Sequence, residues 1–213
     1  MVVAGYLGSL ALMRQRRIRY IRTDEHIDTL SSLAKAAECA KAVLRDPLEW
    51  KWLLIAAHAS VQGSFVLALS RGSGLLTLKP KHAAAWLKAY SAGGPWPDQL
   101  DLDYFLELYV KAKSGVASSR SSGTRFVVER RHDDAMKRLN GFRNGFIHFS
   151  PQSWSIEAAG LPRIALNCLE VAQYLLLQSG TVRWPKPNMA DRARREIDRL
   201  AARLVRLERR YNA

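Results

Sequence analysis

Residues 142–149 read Phe-Arg-Asn-Gly-Phe-Ile-His-Phe, which sets a guanidinium, an amide and an imidazole close together at Arg143, Asn144 and His148. An imidazole titrates near neutral pH and serves as general base or acid. A guanidinium is a permanently charged planar fork that binds two phosphate oxygens at once. The amide of Asn144 is suited to orienting either group. This is the equipment of phosphodiester chemistry: one group to move a proton and one to hold an anion. At about 100° per residue, Asn144 and His148 share a helix face, whereas Arg143 and His148 diverge by about 140°. Either the arginine curls round, the helix distorts at Gly145, or a second subunit completes the site. The competing reading is structural, because a helix-terminal histidine commonly caps carbonyls. Phe142, Phe146, Ile147 and Phe149 are expected to be core or dimer contacts.

The charge points to the same class of partner. The chain of 213 residues has a net charge of +14 and a pI near 10.2. Lysines and arginines near a phosphate backbone release condensed counterions and gain salt-sensitive affinity. The excess sits at the ends. Residues 1–23 carry five arginines and no acid, and residues 186–213 carry Lys186 and eight arginines against four acids, so each end is +5. Lys137, Arg138 and Arg120 are the further candidate contacts for a nucleic acid, the last in the Ser/Gly-rich stretch 114–124.

Other chemistries lack their residues. There is no Walker loop, no GxGxxG and no GxSxG. Cys39 and Cys168 are the only cysteines, far apart in apolar runs, which reads as two reduced thiols, and no CxxC or Cys/His spacing indicates a metal. No cofactor or metal is expected. His58 and Gln62 share a face of an apolar run and are expected to form a hydrogen-bonded core pair. His132 beside Asp133 and Asp134 reads as part of a solvated charged face, and His26 and His82 show no partner. The apolar opening of the chain is followed by basic residues, the reverse of a secretory signal, and Met13 is an alternative start. The run Trp52 to Leu69 contains His58, Gln62, Gly63 and two serines, so a buried core helix is expected, with no membrane span and a cytoplasmic protein.

Helical periodicity dominates, and no run of period two is bounded by hairpin turns, which predicts an all-α chain. A first helix is expected over 28–44 with Asp28 and Thr29 as caps, then a second with Pro47 in its first turn. Arg71-Gly-Ser-Gly ends it, and shorter helices over 81–90 and 101–112 together with the Ser/Gly stretch form an insertion at about 71–128. A charged helix from Glu129 leads into the Arg143–His148 segment and is closed by Ser150-Pro151. Pro162 opens an apolar helix to about Gln178, and a last helix over 188–211 carries a stripe of Ala190, Ala193, Ile197, Leu200, Leu204, Leu207 and Tyr211. Its arginine-rich outer faces suit either a helix docked on the bundle or one that pairs with a second chain or with nucleic acid.

Arginine, a polar residue, three more residues and histidine, near the end of a helix in an all-α chain, resembles the R-x(4 to 6)-H motif of the HEPN superfamily. Arg143, Asn144 and His148 occupy its positions, and the resemblance covers about residues 28–70 and 129–179. It implies a four-helix up-and-down bundle, here over 28–180, while the helical insertion, the extra C-terminal amphipathic helix over 181–213 and the basic extension over 1–27 lie outside the resemblance. It further implies a homodimer that joins two motif helices into one metal-independent ribonuclease site of a bacterial toxin or phage-defence system, with a cognate antitoxin as partner. Members without activity serve as RNA-binding or regulatory modules.

Overall fold

The computed structural model describes residues 20–118, 126–148, 151 and 153–212, and within them the chain is all-helical. Helix α1 spans Glu25–Ala42, α2 Glu49–Leu69, α3 Pro80–Ala92, α4 Phe105–Ser118, α5 Arg130–Ile147, α6 Leu161–Leu177 and α7 Pro187–Tyr211. The short link between α1 and α2 makes them adjacent antiparallel partners. Helix α2 also meets α4, α5 and α6, while α7 lies in the groove between α1 and α6.

The apolar run expected to be buried is the centre of this arrangement. Leu53, Leu54, Val61 and Phe65 of α2 are buried, and they meet Leu33 of α1, Leu139 of α5 and Leu175 of α6 in one core. Each such side chain contributes about 1.5–3 kcal/mol. Helix α2 is the one helix among the described residues long and apolar enough to cross a membrane, and 67% of its most apolar window is buried against other helices. At Gly63 α1 comes so near that a Cβ would fall 2.1 Å from Thr29 Oγ1. The stripe of α7 faces its own chain: Ala193, Ile197, Leu200, Leu204 and Leu207 are buried, Arg203 donates to the Ala37 carbonyl, and Trp50 Nε1 donates to Tyr211 Oη at 3.0 Å.

Several boundaries differ from the sequence reading for local reasons. Helix α1 begins three residues early, because Asp24 is its cap and accepts from the Ile27 amide at 2.8 Å. Thr29, expected to be a cap, lies inside the helix and donates to the Glu25 carbonyl at 2.6 Å. Pro47 falls outside α2, since Asp46 Oδ1 takes the Leu48 amide at 2.9 Å and delays the helix to Glu49. Helix α4 starts at Phe105 and runs into the stretch expected to be a flexible loop. Residues 101–104 are extended instead, with the Asp103 amide on the Thr77 carbonyl and Lys111 Nζ 2.6 Å from Asp103.

Candidate functional site

Helix α5 carries the candidate residues, and its faces are clearly divided. Ala135, Met136 and Leu139 enter the core. Phe142 and Phe146 are half-buried and pack on Trp154, with ring centroids 6.3 and 4.9 Å apart. Gly145 makes this fit possible, because a Cβ there would lie 2.7 Å from Trp154 Cη2. Lys137, Gly141, Asn144 and His148 make up the outer stripe and are exposed. Phe142 and Phe146 are therefore packing groups, whereas the aliphatic Ile147 is half-exposed. Phe149 and Arg120 lie outside the described residues.

The helix ends at Ile147, ahead of Ser150 and Pro151. His148 is its C-cap, with φ −104° and ψ 48°, and its amide donates to the Asn144 carbonyl at 2.9 Å. The cap is thus a backbone one, and the imidazole is free of that duty and open to solvent. Arg143 Nη1 donates to Asn144 Oδ1 at 3.0 Å. The bond ties the guanidinium to the amide next to it in the chain, and no contact joins it to His148 among the described residues. Arg138 takes the opposite edge of the stripe, where its guanidinium stands 6.0 Å over the Phe142 ring. Lys137 is exposed on the same face as Asn144.

On its other side Arg143 borders a cleft of about 350 Å³ between α1, α2 and α5. His58 lines it and is buried, with Nε2 3.2 Å from Asn140 Oδ1 and its ring stacked on Phe105 at 4.0 Å. Burial, and secondarily the Arg143 charge, hold its pKa down at about 4, so the ring is neutral at pH 7. The expected pairing with Gln62 does not occur, because Asn140 of α5 reaches across the helix interface first. Only the unusual presence of His and Gln on an apolar helix hinted at this cleft; Asn140 had no linear signal.

The remaining histidines correct the sequence reading. His132 is buried rather than solvated: its Nδ1 accepts from the Glu129 amide at 2.9 Å, which leaves Nε2–H to donate to Glu170 at 3.1 Å. It closes a capping box at the start of α5 and ties that helix to α6. His26 Nε2 stands 3.1 Å from the Arg183 carbonyl, and His82 Nδ1 stands 3.0 Å from that of Gln99. Both partners are remote in sequence, which hid them.

No family model, curated protein or solved structure matches this chain. Its chemistry is therefore read from its own residues. They offer an accessible imidazole, an anion-binding fork bonded to the amide beside it, and a stripe with Lys137 along which a polyanion can lie. Both cysteines are buried away from this surface, and burial raises the thiol of Cys39 to about 11 and that of Cys168 further.

Proposed function

We propose that the chain is a metal-independent endoribonuclease of the HEPN type, acting as a homodimer in a bacterial toxin or defence system. The observation that carries this reading is the open His148 imidazole beside the bonded Arg143–Asn144 pair on the exposed stripe of α5. On this reading helices α1, α2, α5 and α6 are taken as the four of a HEPN bundle, with α3 and α4 as the insertion and α7 as an added helix; the all-helical chain supports it. RNA holds its own nucleophile. His148 takes the proton of a 2′-hydroxyl, whose oxygen attacks the adjacent phosphorus while the bond to the 5′-oxygen breaks. The departing oxygen gains a proton, and the products are a 2′,3′-cyclic phosphate and a 5′-hydroxyl. Arg143 binds the phosphorane oxygens, where charge builds most. Pairing two α5 stripes about a twofold axis supplies a second arginine and a second histidine, one set for each proton transfer.

The second reading is a non-catalytic RNA-binding module, supported by the outer face of α7, where Arg192, Arg194, Arg195, Arg199 and Arg206 are exposed. Incubation with RNA in EDTA separates the two. The first predicts cyclic phosphate ends and their loss in His148→Ala with the fold retained, by roughly 10²- to 10⁴-fold in rate. Undiminished cleavage by that variant, or cleavage only on addition of a metal, refutes it.

A further inference from the structure

The cleft beside Arg143 has no part in the proton transfers, yet it opens at the residue assigned to the scissile phosphate. Its volume of about 350 Å³ is within the roughly 300–1,000 Å³ of small-molecule sites. Its walls are apolar, from Ile55, Ala59, Val66, Leu102 and Ile147. Its polar groups are few and of a particular kind. Glu25 and Asp28, in the first turn of α1, only accept hydrogen bonds when ionised, and Gln62 both donates and accepts. Among the described residues, the side chains of Asp28 and Gln62 have no hydrogen-bond or ion-pair partner. His58 adds a buried ring, 4% exposed, in the same lining. With Nε2 given to Asn140 Oδ1, its other nitrogen is an acceptor that no described residue satisfies.

This pattern selects against some ligands. Two carboxylates repel a phosphate, so the backbone stays at the Arg143 rim, and a group carrying hydrogen-bond donors gains by entering. A nucleobase meets those terms, with flat faces for the apolar walls and a polar edge for the acceptors. Among the four bases of RNA, guanine alone presents two adjacent donors on its Watson–Crick edge, N1–H and the N2 amino group, which fit the two oxygens of one carboxylate. Its O6 is then left to accept from an amide such as that of Gln62. Adenine and cytosine present one amino group next to an unprotonated ring nitrogen that a carboxylate repels, and uracil presents one N–H between two carbonyls.

We infer that this cleft is a base subsite for guanine, so that cleavage occurs next to a guanosine whose phosphate lies on Arg143. The inference rests on the ribonuclease reading for its purpose, but the subsite is testable by itself through binding. Calorimetric titration with guanosine 3′-monophosphate and its adenosine, cytidine, uridine and inosine counterparts is the test. Guanosine monophosphate is expected to bind roughly 5- to 150-fold tighter than the adenosine, cytidine and uridine forms. The inosine form, lacking the N2 amino group, should fall between. Asp28→Asn and Glu25→Gln, both at exposed positions that leave the Asp24 cap intact, should reduce the preference, and Arg143→Ala should weaken all five alike. Equal binding of the five, no binding of any, or a preference unchanged in both acidic variants overturns the inference. Guanine preference in a protein that does not cut RNA upholds the subsite while the ribonuclease reading fails. Cleavage without preference for a neighbouring base, together with equal nucleotide binding, refutes the subsite alone.

Discussion

Gly141 and Gly145 stand four residues apart in α5, each next to an asparagine, and the structure predicts opposite responses to alanine. Glycine in a helix interior is less favourable than alanine by about 0.5–1 kcal/mol, because more backbone freedom is lost on folding. At Gly141 a Cβ meets no atom within 4 Å, so Gly141→Ala should raise stability by about that amount. At Gly145 a Cβ would lie 2.7, 3.1 and 3.4 Å from three atoms of the Trp154 ring. Moving the ring aside gives up its packing on Phe142 and Phe146. Overpacking of this kind costs about 1–3 kcal/mol. The two alanine variants should therefore differ by about 1–3 kcal/mol, with Gly145→Ala the weaker. For a chain of this size that is a gap of roughly 2–12 °C in Tm. Urea and thermal unfolding followed by circular dichroism measure it. Repeating the pair in a Trp154→Ala background should close the gap, since the clash is then gone. Alanine variants of equal stability, or a gap that persists without the indole, would refute the account of how Trp154 holds the end of α5 under His148.

Three further expectations concern the helix interfaces. Gly63→Ala should be destabilising by about 1–3 kcal/mol, less the helix propensity gained, and Thr29→Ala in the same chain should restore part of it, as a double-mutant cycle would read. His58 has a folded pKa near 4, below its usual 6.5, so the unfolded chain binds the extra proton between those values. Stability should accordingly fall as pH drops from about 6.5 to 4, by up to about 3 kcal/mol, and His58→Gln should flatten that limb of the profile. Cys39 and Cys168 should be inert to a thiol reagent at neutral pH in the native protein and react fully in denaturant, because burial keeps both protonated.

The helices were legible from the sequence because their signals are local. Apolar residues at spacings of three and four mark a buried face whatever it packs against, and the breakers at Asp46-Pro47, Arg71-Gly-Ser-Gly and Gly180 act on the adjacent backbone. The stripe of α7 and the apolar character of α2 likewise required no knowledge of their neighbours. Arg143, Asn144 and His148 stood out as a group for the same reason, being near each other in the chain. Boundaries were less legible: Asp28 and Thr29 look like caps on paper, but the bond from the Ile27 amide makes Asp24 the cap.

Tertiary structure decided everything that depends on contact between distant segments. His132 lies between two arginines and two aspartates in the chain yet is buried against Glu170, and His58 is satisfied by Asn140 rather than by Gln62 on its own helix. The two glycines of α5 look alike in the sequence. Trp154, brought back over the helix, crowds one of them and leaves the other open. The cleft beside Arg143 likewise exists only because α1, α2 and α5 converge. Periodicity along a helix specifies which face turns inward, but the partner across an interface is chosen by the packing of the whole bundle, and no local pattern contains it.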